Sequence, residues 1–259
     1  MKSDKGLVQE RFGRSLCRYE EEAAVQRDMA WQLVAQIRLY GGFRHNSVLE
    51  IGCGTGQLTR EMVSHLNVRR IVANDLVAQC APRMAEAMQQ VPGVDFNFLP
   101  GDIESIELPP AAFDLAASNA VFHWVDDLAG LLERLNAALG ADGLLAFTTF
   151  GPDNLREVAA VSGRGLCYRS FEEVTALVER RYRILHCGEH REVLRFPSPR
   201  RVLEHVRRTG ANGLARVGWT RGVLRAFEGE YRERFGAGDE VTLTYHPMIF
   251  VARRRDNGW

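Results

Sequence analysis

Apolar positions in the first forty residues recur at helical spacing. Val25, Met29, Leu33, Val34 and Ile37 share one stripe of a 3.6-residue repeat, so residues 7–40 read as amphipathic helix, stopped by Gly41-Gly42. The pattern then changes. Val48-Leu49-Glu50-Ile51, Ile71–Leu76 and Phe113–Asn119 are short apolar runs, each read as a buried strand. Leu128–Leu139 reads as a helix, and Gly140–Gly143 as a turn into the strand Leu144–Phe150. Strands alternating with helices predict an α/β fold with a doubly wound sheet. Further on, Ser170 with Glu173 three residues later is a capping-box pattern and predicts a helix over 171–181. Tyr182–Phe196 is strand-like and is broken by Pro197 and Pro199. Ser198–Phe235 is mostly helical, Gly236 and Gly238 end it, and Val241–Ala252 reads as the last strand. The expected layout is one domain: an N-terminal helical cover (1–42), a core (43–196), a helical insertion between the last two strands (197–238), and a last strand and tail (239–259).

A chain of 259 residues, 46% hydrophobic and 25% charged, can bury a sizeable core. No apolar run approaches the roughly 20 residues that span a bilayer, and the N-terminus carries no signal-peptide core, so a cytoplasmic protein with no membrane partner is expected. Cys17, Cys53, Cys80, Cys167 and Cys187 are scattered, odd in number and without a C-x-x-C pair. Neither a zinc site nor a disulfide framework is indicated. The zero net charge conceals an asymmetry. Residues 180–234 hold fourteen arginines against six acids, whereas residues 1–179 hold sixteen basic residues against twenty-four acids. Such clustering reads either as a solvated helical face or as a docking surface for an acidic partner.

The chemistry concentrates in Glu50-Ile51-Gly52-Cys53-Gly54-Thr55-Gly56. Gly52, Gly54 and Gly56 permit positive φ and close approach of backbone to a ligand, and the helix that follows offers free N–H groups. Cys53 reads as a small filler of that turn. An acid at Glu50 argues against a phosphate and for a ligand bearing positive charge. Asp75, with Leu76, ends the second strand at the place where doubly wound folds hold ribose hydroxyls. Asp102 beside Ile103 offers an acceptor and an apolar face to a purine. Asn119 ends the strand at the crevice where open α/β sheets bind ligands.

Across roughly residues 45–150 this set resembles the class I S-adenosylmethionine-dependent methyltransferases. The resemblance implies a Rossmann-like seven-stranded sheet and a cofactor site of Glu50, Gly52, Gly54, Gly56, Asp75, Leu76, Asp102, Ile103 and Asn119. Glu50 is expected to act through water or by orienting the loop.

Four further stretches narrow the family. They are Arg11-Phe12-Gly13-Arg14-Ser15 with Tyr19 and Val25-Gln26-Arg27; Ser118–Trp124; Thr148–Leu155; and Thr209-Gly210-Ala211-Asn212. With these the chain resembles, over nearly its whole length, the malonyl-acyl carrier protein O-methyltransferases of biotin synthesis. That family esterifies the free carboxylate of a malonyl thioester. The resemblance implies an acidic acyl carrier protein as partner, with Arg200, Arg201, Arg207 and Arg208 as candidates for its docking surface, and a monomer is expected. A malonyl carboxylate is already ionised, so positioning matters more than acid–base help. Tyr19, His123 and Trp124 are candidate donors to it, although each also fits a purely structural place; the alternative is that an arginine of the insertion grips the carboxylate. Two alternatives stay open: methylation of a small free acid, and a cofactor-binding factor that modifies or assembles another protein. Nucleic acid is not expected as substrate, because the chain lacks an Asn-Pro-Pro-Tyr motif and is not basic overall.

Overall fold

The computed structural model describes residues 5–16, 19–210 and 220–255. Lys2, Cys17, Ala211 and Asn212 lie outside them, as do the side chains of Arg11 and Ser15. The N-terminal cover is three helices, α1 (Lys5–Ser15), α2 (Tyr19–Glu22) and α3 (Ala24–Gly41). Of these α3 carries the expected stripe: Val25, Met29, Leu33, Val34 and Ile37 are all buried, and Gly42 ends the helix at φ +83°. The core then alternates as the apolar runs predict: β1 (Arg44–Ile51), α4 (Gln57–His65), β2 (Asn67–Asp75), α5 (Ala81–Gln89), β3 (Asp95–Pro100), β4 (Phe113–Ser118), α6 (Leu128–Ala138) and β5 (Leu139–Phe150). The glycines at 140 and 143 do not precede β5 but fall within it. They are absorbed by a register irregularity in which Phe113 pairs with Leu139 and Leu115 with Leu144. After α7 (Arg156–Ser162), helix α8 (Phe171–Glu179) opens on the expected capping box of Ser170 and Glu173.

Two long strand readings each divide in two. Tyr182–Phe196 becomes β6 (Tyr182–Glu189) and β7 (Glu192–Phe196). After α9 (Pro199–Arg208), α10 (Arg221–Phe235) and β8 (Gly236–Ala237), the last run becomes β9 (Glu240–Tyr245) and β10 (Pro247–Arg254). The seven-stranded sheet has the order β3-β2-β1-β4-β5-β10-β6, with β10 antiparallel to both neighbours. Strands β7, β9 and β8 form a second, three-stranded sheet. The insertion is therefore not only helical. It begins near residue 190 rather than 197 and ends near 246, because β6 and β10 run on past a bend as the pair β7–β9. His246 makes that bend. Its ring is buried, hydrogen-bonded to Glu189 at 2.7 Å, and fills the space a side chain at Gly151 would need. Two apolar layers flank the large sheet, and a third core joins α3, α7, α9 and α10 to the small sheet. No helix among the described residues is long and apolar enough to cross a membrane.

Candidate active site

The order in which the chain adds strands reverses between the parallel neighbours β1 and β4, and a cleft of about 1200 Å³, its open mouth included, lies at their carboxyl ends. All three loop glycines adopt positive φ. At Gly52 (φ +69°) an added Cβ would lie 2.3 Å from Val121, so the turn admits no side chain there. Gly56 (φ +85°) starts α4 and faces Met84 on the far side of the loop; it is not part of the cleft wall. The backbone N–H groups of Gly52 and Cys53 both donate to the carbonyl of Asn74, so β2 braces the turn.

Glu50 is buried at the mid-sheet end of β1, and Thr59 donates to its Oε2 at 2.5 Å. Its Oε1 is buried and has no hydrogen-bond partner among the described residues. Burial pushes the carboxyl up to about 7, and Thr59 only partly offsets this. No cation bonds to the side chain among the described residues, with Arg60 acting on it only through its charge, and it lines the cleft. Gln57 lines the cleft too and keeps a buried Nε2 without a partner. Asp75 accepts from the N–H of Gly54 at 2.7 Å and from that of Val77 at 2.7 Å, which ties the glycine turn to the loop after β2. Burial raises its pKa, and those two donors oppose the rise. Asp102 accepts from Lys5 at 2.6 Å and from the N–H of Glu104 at 3.0 Å; Leu76 and Ile103 are wall beside these acids. Asn119 also lines the cleft, donating to the carbonyl of Gln26 and accepting from Thr148.

At the other end, His123 packs against Trp124, Phe150 and Tyr168 at ring distances of 5.1, 5.2 and 5.8 Å. Burial lowers its pKa to about 3, so the ring is neutral at neutral pH, and its Nδ1 has no protein partner. Tyr19 stands edge-on to Phe12, and burial, then the charge of Asp75, raises its phenol pKa. The structure thus brings Glu50, Gly52, Gly54, Asp75, Leu76, Asp102, Ile103, Asn119, Tyr19, His123 and Trp124 to one cleft.

Sequence reasoning assigned no role to Lys5, Phe12 or Gln26, which line the same cleft. Together with Tyr19 they stand seven residues apart along the cover. Phe12 and Gln26 lay inside the quoted N-terminal motif, and Lys5 is one of two lysines in the chain. Thr209 and Gly210, at the end of α9, close the cleft from the insertion.

The four candidate docking arginines separate by helical face. Arg200 and Arg207, seven apart on α9, are exposed. Arg201 and Arg208, also seven apart, turn to the cover instead: both approach Glu22 on α2, at 3.6 and 2.7 Å, and Arg201 also pairs with Glu204 at 2.5 Å. Glu22 accepts from His205 too, at 3.0 Å, and His205 meets the hydroxyl of Tyr245 at 2.8 Å. Burial disfavours the Glu22 carboxylate, but the bonds from His205 and Arg208 outweigh it and hold its pKa below the usual range. Two of the four arginines therefore fasten the insertion to the cover.

A profile of the methyltransferase-domain family matches residues 49–147. Among solved structures, the fold is similar to the YcgJ protein of Bacillus subtilis (TM-score 0.61, 14% identity, 87% of this chain and 99% of that one). It is also similar to 1,6-didemethyltoxoflavin-N1-methyltransferase of Burkholderia thailandensis (TM-score 0.57, 19% identity, 97% of this chain and 88% of that one). These likenesses concern the fold, and confirm the Rossmann-like seven-stranded sheet. In sequence, the chain is 42% identical to a malonyl-acyl carrier protein O-methyltransferase of Chlorobium luteolum over 257 residues, 99% of this chain and 98% of that one. It is 39% identical to that of Prosthecochloris aestuarii, over 97% of this chain and 94% of that protein. The chain belongs to the malonyl-acyl carrier protein O-methyltransferase family.

Proposed function

We propose that this protein transfers the methyl group of S-adenosylmethionine to the free carboxylate of malonyl-acyl carrier protein, opening the route to the pimeloyl chain of biotin. One observation carries the reading. Relatives named for this reaction align with the cover and the insertion as well as the core, and both of those segments line the cleft.

The residues present suit the cofactor. The buried, unpartnered Oε1 of Glu50 is an acceptor in want of a cation, and an ammonium group meets that need. This reading gives Glu50 a direct contact where the sequence alone suggested action through water or by orienting the loop. The collar of Gly52 and Gly54 leaves room for the amino-acid end. Asp75 is assigned to the ribose and Asp102 with Ile103 to the purine; their oxygens already hold backbone or Lys5 donors and keep lone pairs to spare. Gly56 is assigned to the turn rather than to contact.

The bound cofactor supplies an electrophilic methyl group on a sulfonium. A carboxylate needs no base to attack it, and the acceptor end of the cleft fits that economy. With a pKa near 3, His123 is a poor base but a good neutral donor. Tyr19 keeps its proton and can donate as well. Their task is to hold a carboxylate oxygen in line with the methyl–sulfur bond while Trp124, Phe150 and the insertion exclude water. Arg200 and Arg207 are assigned to the carrier protein.

The test is methyl transfer from labelled S-adenosylmethionine to malonyl-acyl carrier protein and to malonyl-CoA at equal concentration. Strong preference for the carrier-bound form is expected. Equal turnover would indicate a carboxyl methyltransferase without a carrier, and no turnover despite cofactor binding would refute the assignment.

A further inference from the structure

A second cavity, about 550 Å³ with its open side included, lies beside the cleft and is not used by anything above. Its wall is apolar where it is deep, with Val158, Leu166 and Val206 contributing, and it carries two cations, Arg156 and Arg164. Arg164 is exposed and has no acidic partner among the described residues. Arg156 is half exposed and makes only long contacts, at 3.7 Å to Asp153 and 3.6 Å to Glu157. Two features join this cavity to the reacting end of the cleft. Tyr168 lines the cavity, and its ring stands 5.8 Å from that of His123 in the cleft. Helix α9 contributes Val206 to the cavity and leads into Thr209 and Gly210 of the cleft, with the exposed Arg207 next in sequence to Val206.

We propose that this cavity is the subsite for the 4′-phosphopantetheine arm of the carrier protein, with Arg156 and Arg164 receiving its phosphate and the apolar wall its pantoyl chain. The inference rests on the proposed function and adds where the arm runs. A thioester held near His123 must trail a long linker back to a protein too large for the cleft. The linker ends in a phosphate, which a pair of arginines recognises by charge and by forked hydrogen bonds. The cavity sets such a pair beside α9, whose exposed Arg207 directly follows the lining Val206, so one acidic protein and its arm meet cations on both elements. The arm then passes beside Tyr168 on its way to the thioester.

The experiment compares malonyl-4′-phosphopantetheine with malonyl-pantetheine, which lacks only the phosphate, in the full-length protein and in its Arg156→Ala/Arg164→Ala variant. Both arginines are at the surface, and cofactor affinity measured alongside checks that the cleft is intact. The native protein should favour the phosphorylated substrate at least tenfold in kcat/KM, and the variant should lose that preference while its rate on malonyl-pantetheine stays within threefold. No phosphate preference in the native protein, or a preference that survives in the variant, would overturn the subsite. If only carrier-bound substrate turns over, the variant must raise its KM at least tenfold; a change below threefold overturns the proposal. Absence of turnover on every malonyl thioester, carrier-bound included, would instead sink the proposed function.

Discussion

Replacing Glu50 with glutamine should make the free protein more stable and the cofactor bind less tightly. Glu50 is 1% exposed, and β1 places it between Ala73 and Ala117 of the neighbouring strands, so nothing polar on the sheet compensates its charge. Burial moves its pKa from 4.5 to about 7. At about 1.4 kcal/mol for each pKa unit, carrying that charge costs the fold about 3 kcal/mol. The sign follows from proton counting. Below pH 4.5 both folded and unfolded chains hold the proton, and Glu50 costs nothing. Between 4.5 and about 7 the folded chain keeps a proton that the unfolded chain has released, so stability falls as pH rises. Above that range the full penalty applies. Glutamine carries no charge, and its carboxamide oxygen can still accept from Thr59. Thermal unfolding near pH 8 should show Glu50→Gln more stable by about 1–3 kcal/mol, or roughly 3–10 °C for a chain of this size, with the gap closing towards about pH 5. Titration calorimetry should show S-adenosylmethionine binding at least tenfold weaker, about 1.4 kcal/mol. A variant no more stable than the native protein near pH 8 would show that the charge is already balanced. Unchanged affinity would show that the ammonium sits elsewhere.

Three other outcomes are expected. Asp75→Ala should weaken S-adenosylmethionine binding at least tenfold, about 1.4 kcal/mol, and unchanged affinity would mean that the ribose acid is another residue. Gly52→Ala should cost about 1–3 kcal/mol in denaturant unfolding, because φ is +69° and the new methyl would overlap Val121; a loss under about 0.5 kcal/mol would contradict the geometry. Glu22→Gln should destabilise the protein by about 1–2 kcal/mol at neutral pH through its weakened bonds to His205 and Arg208. Since the Glu22 pKa is held below 4.5, that contribution is present above 4.5 and is lost as pH falls through the lowered value, so native and variant curves should converge in acid.

What could be read in advance followed from burial on two faces. β1, β2 and β4 are covered on both sides, so their apolar runs are continuous, and each ends at the residue that faces the cleft. The division of Tyr182–Phe196 and of Val241–Ala252 was only faintly marked. Their only local marks are the polar run Gly188–Glu192 and Pro247, neither of which gives the direction of the bend; what fixes it is tertiary, the buried ring of His246 against Gly151 and Glu189. The cover was legible as helix, but its break before Ala24 was not, because neither Gly nor Pro marks it. The glycine loop announced Glu50 and Asp75 as part of a site. Lys5 has no such frame: it reaches Asp102 and Glu104, about a hundred residues on, only because α1 lies across the cleft. The arginine cluster was visible as composition, but the contact of Arg201 and Arg208 with Glu22 depends on which side of α9 meets α2.

The bend at His246 also bears on how such a protein can be re-engineered. Glu189 and Met248 are opposite one another in register, so the chain leaves the large sheet after 189 and returns to it at 247, at neighbouring points. A segment attached in this way can be exchanged at little entropic cost to its host, since its ends need only the span of a hairpin. The seam thus marks where such a cassette would be cut, while the faces of α2, α3 and α7 that meet α9 and α10 are the surfaces a replacement would have to match.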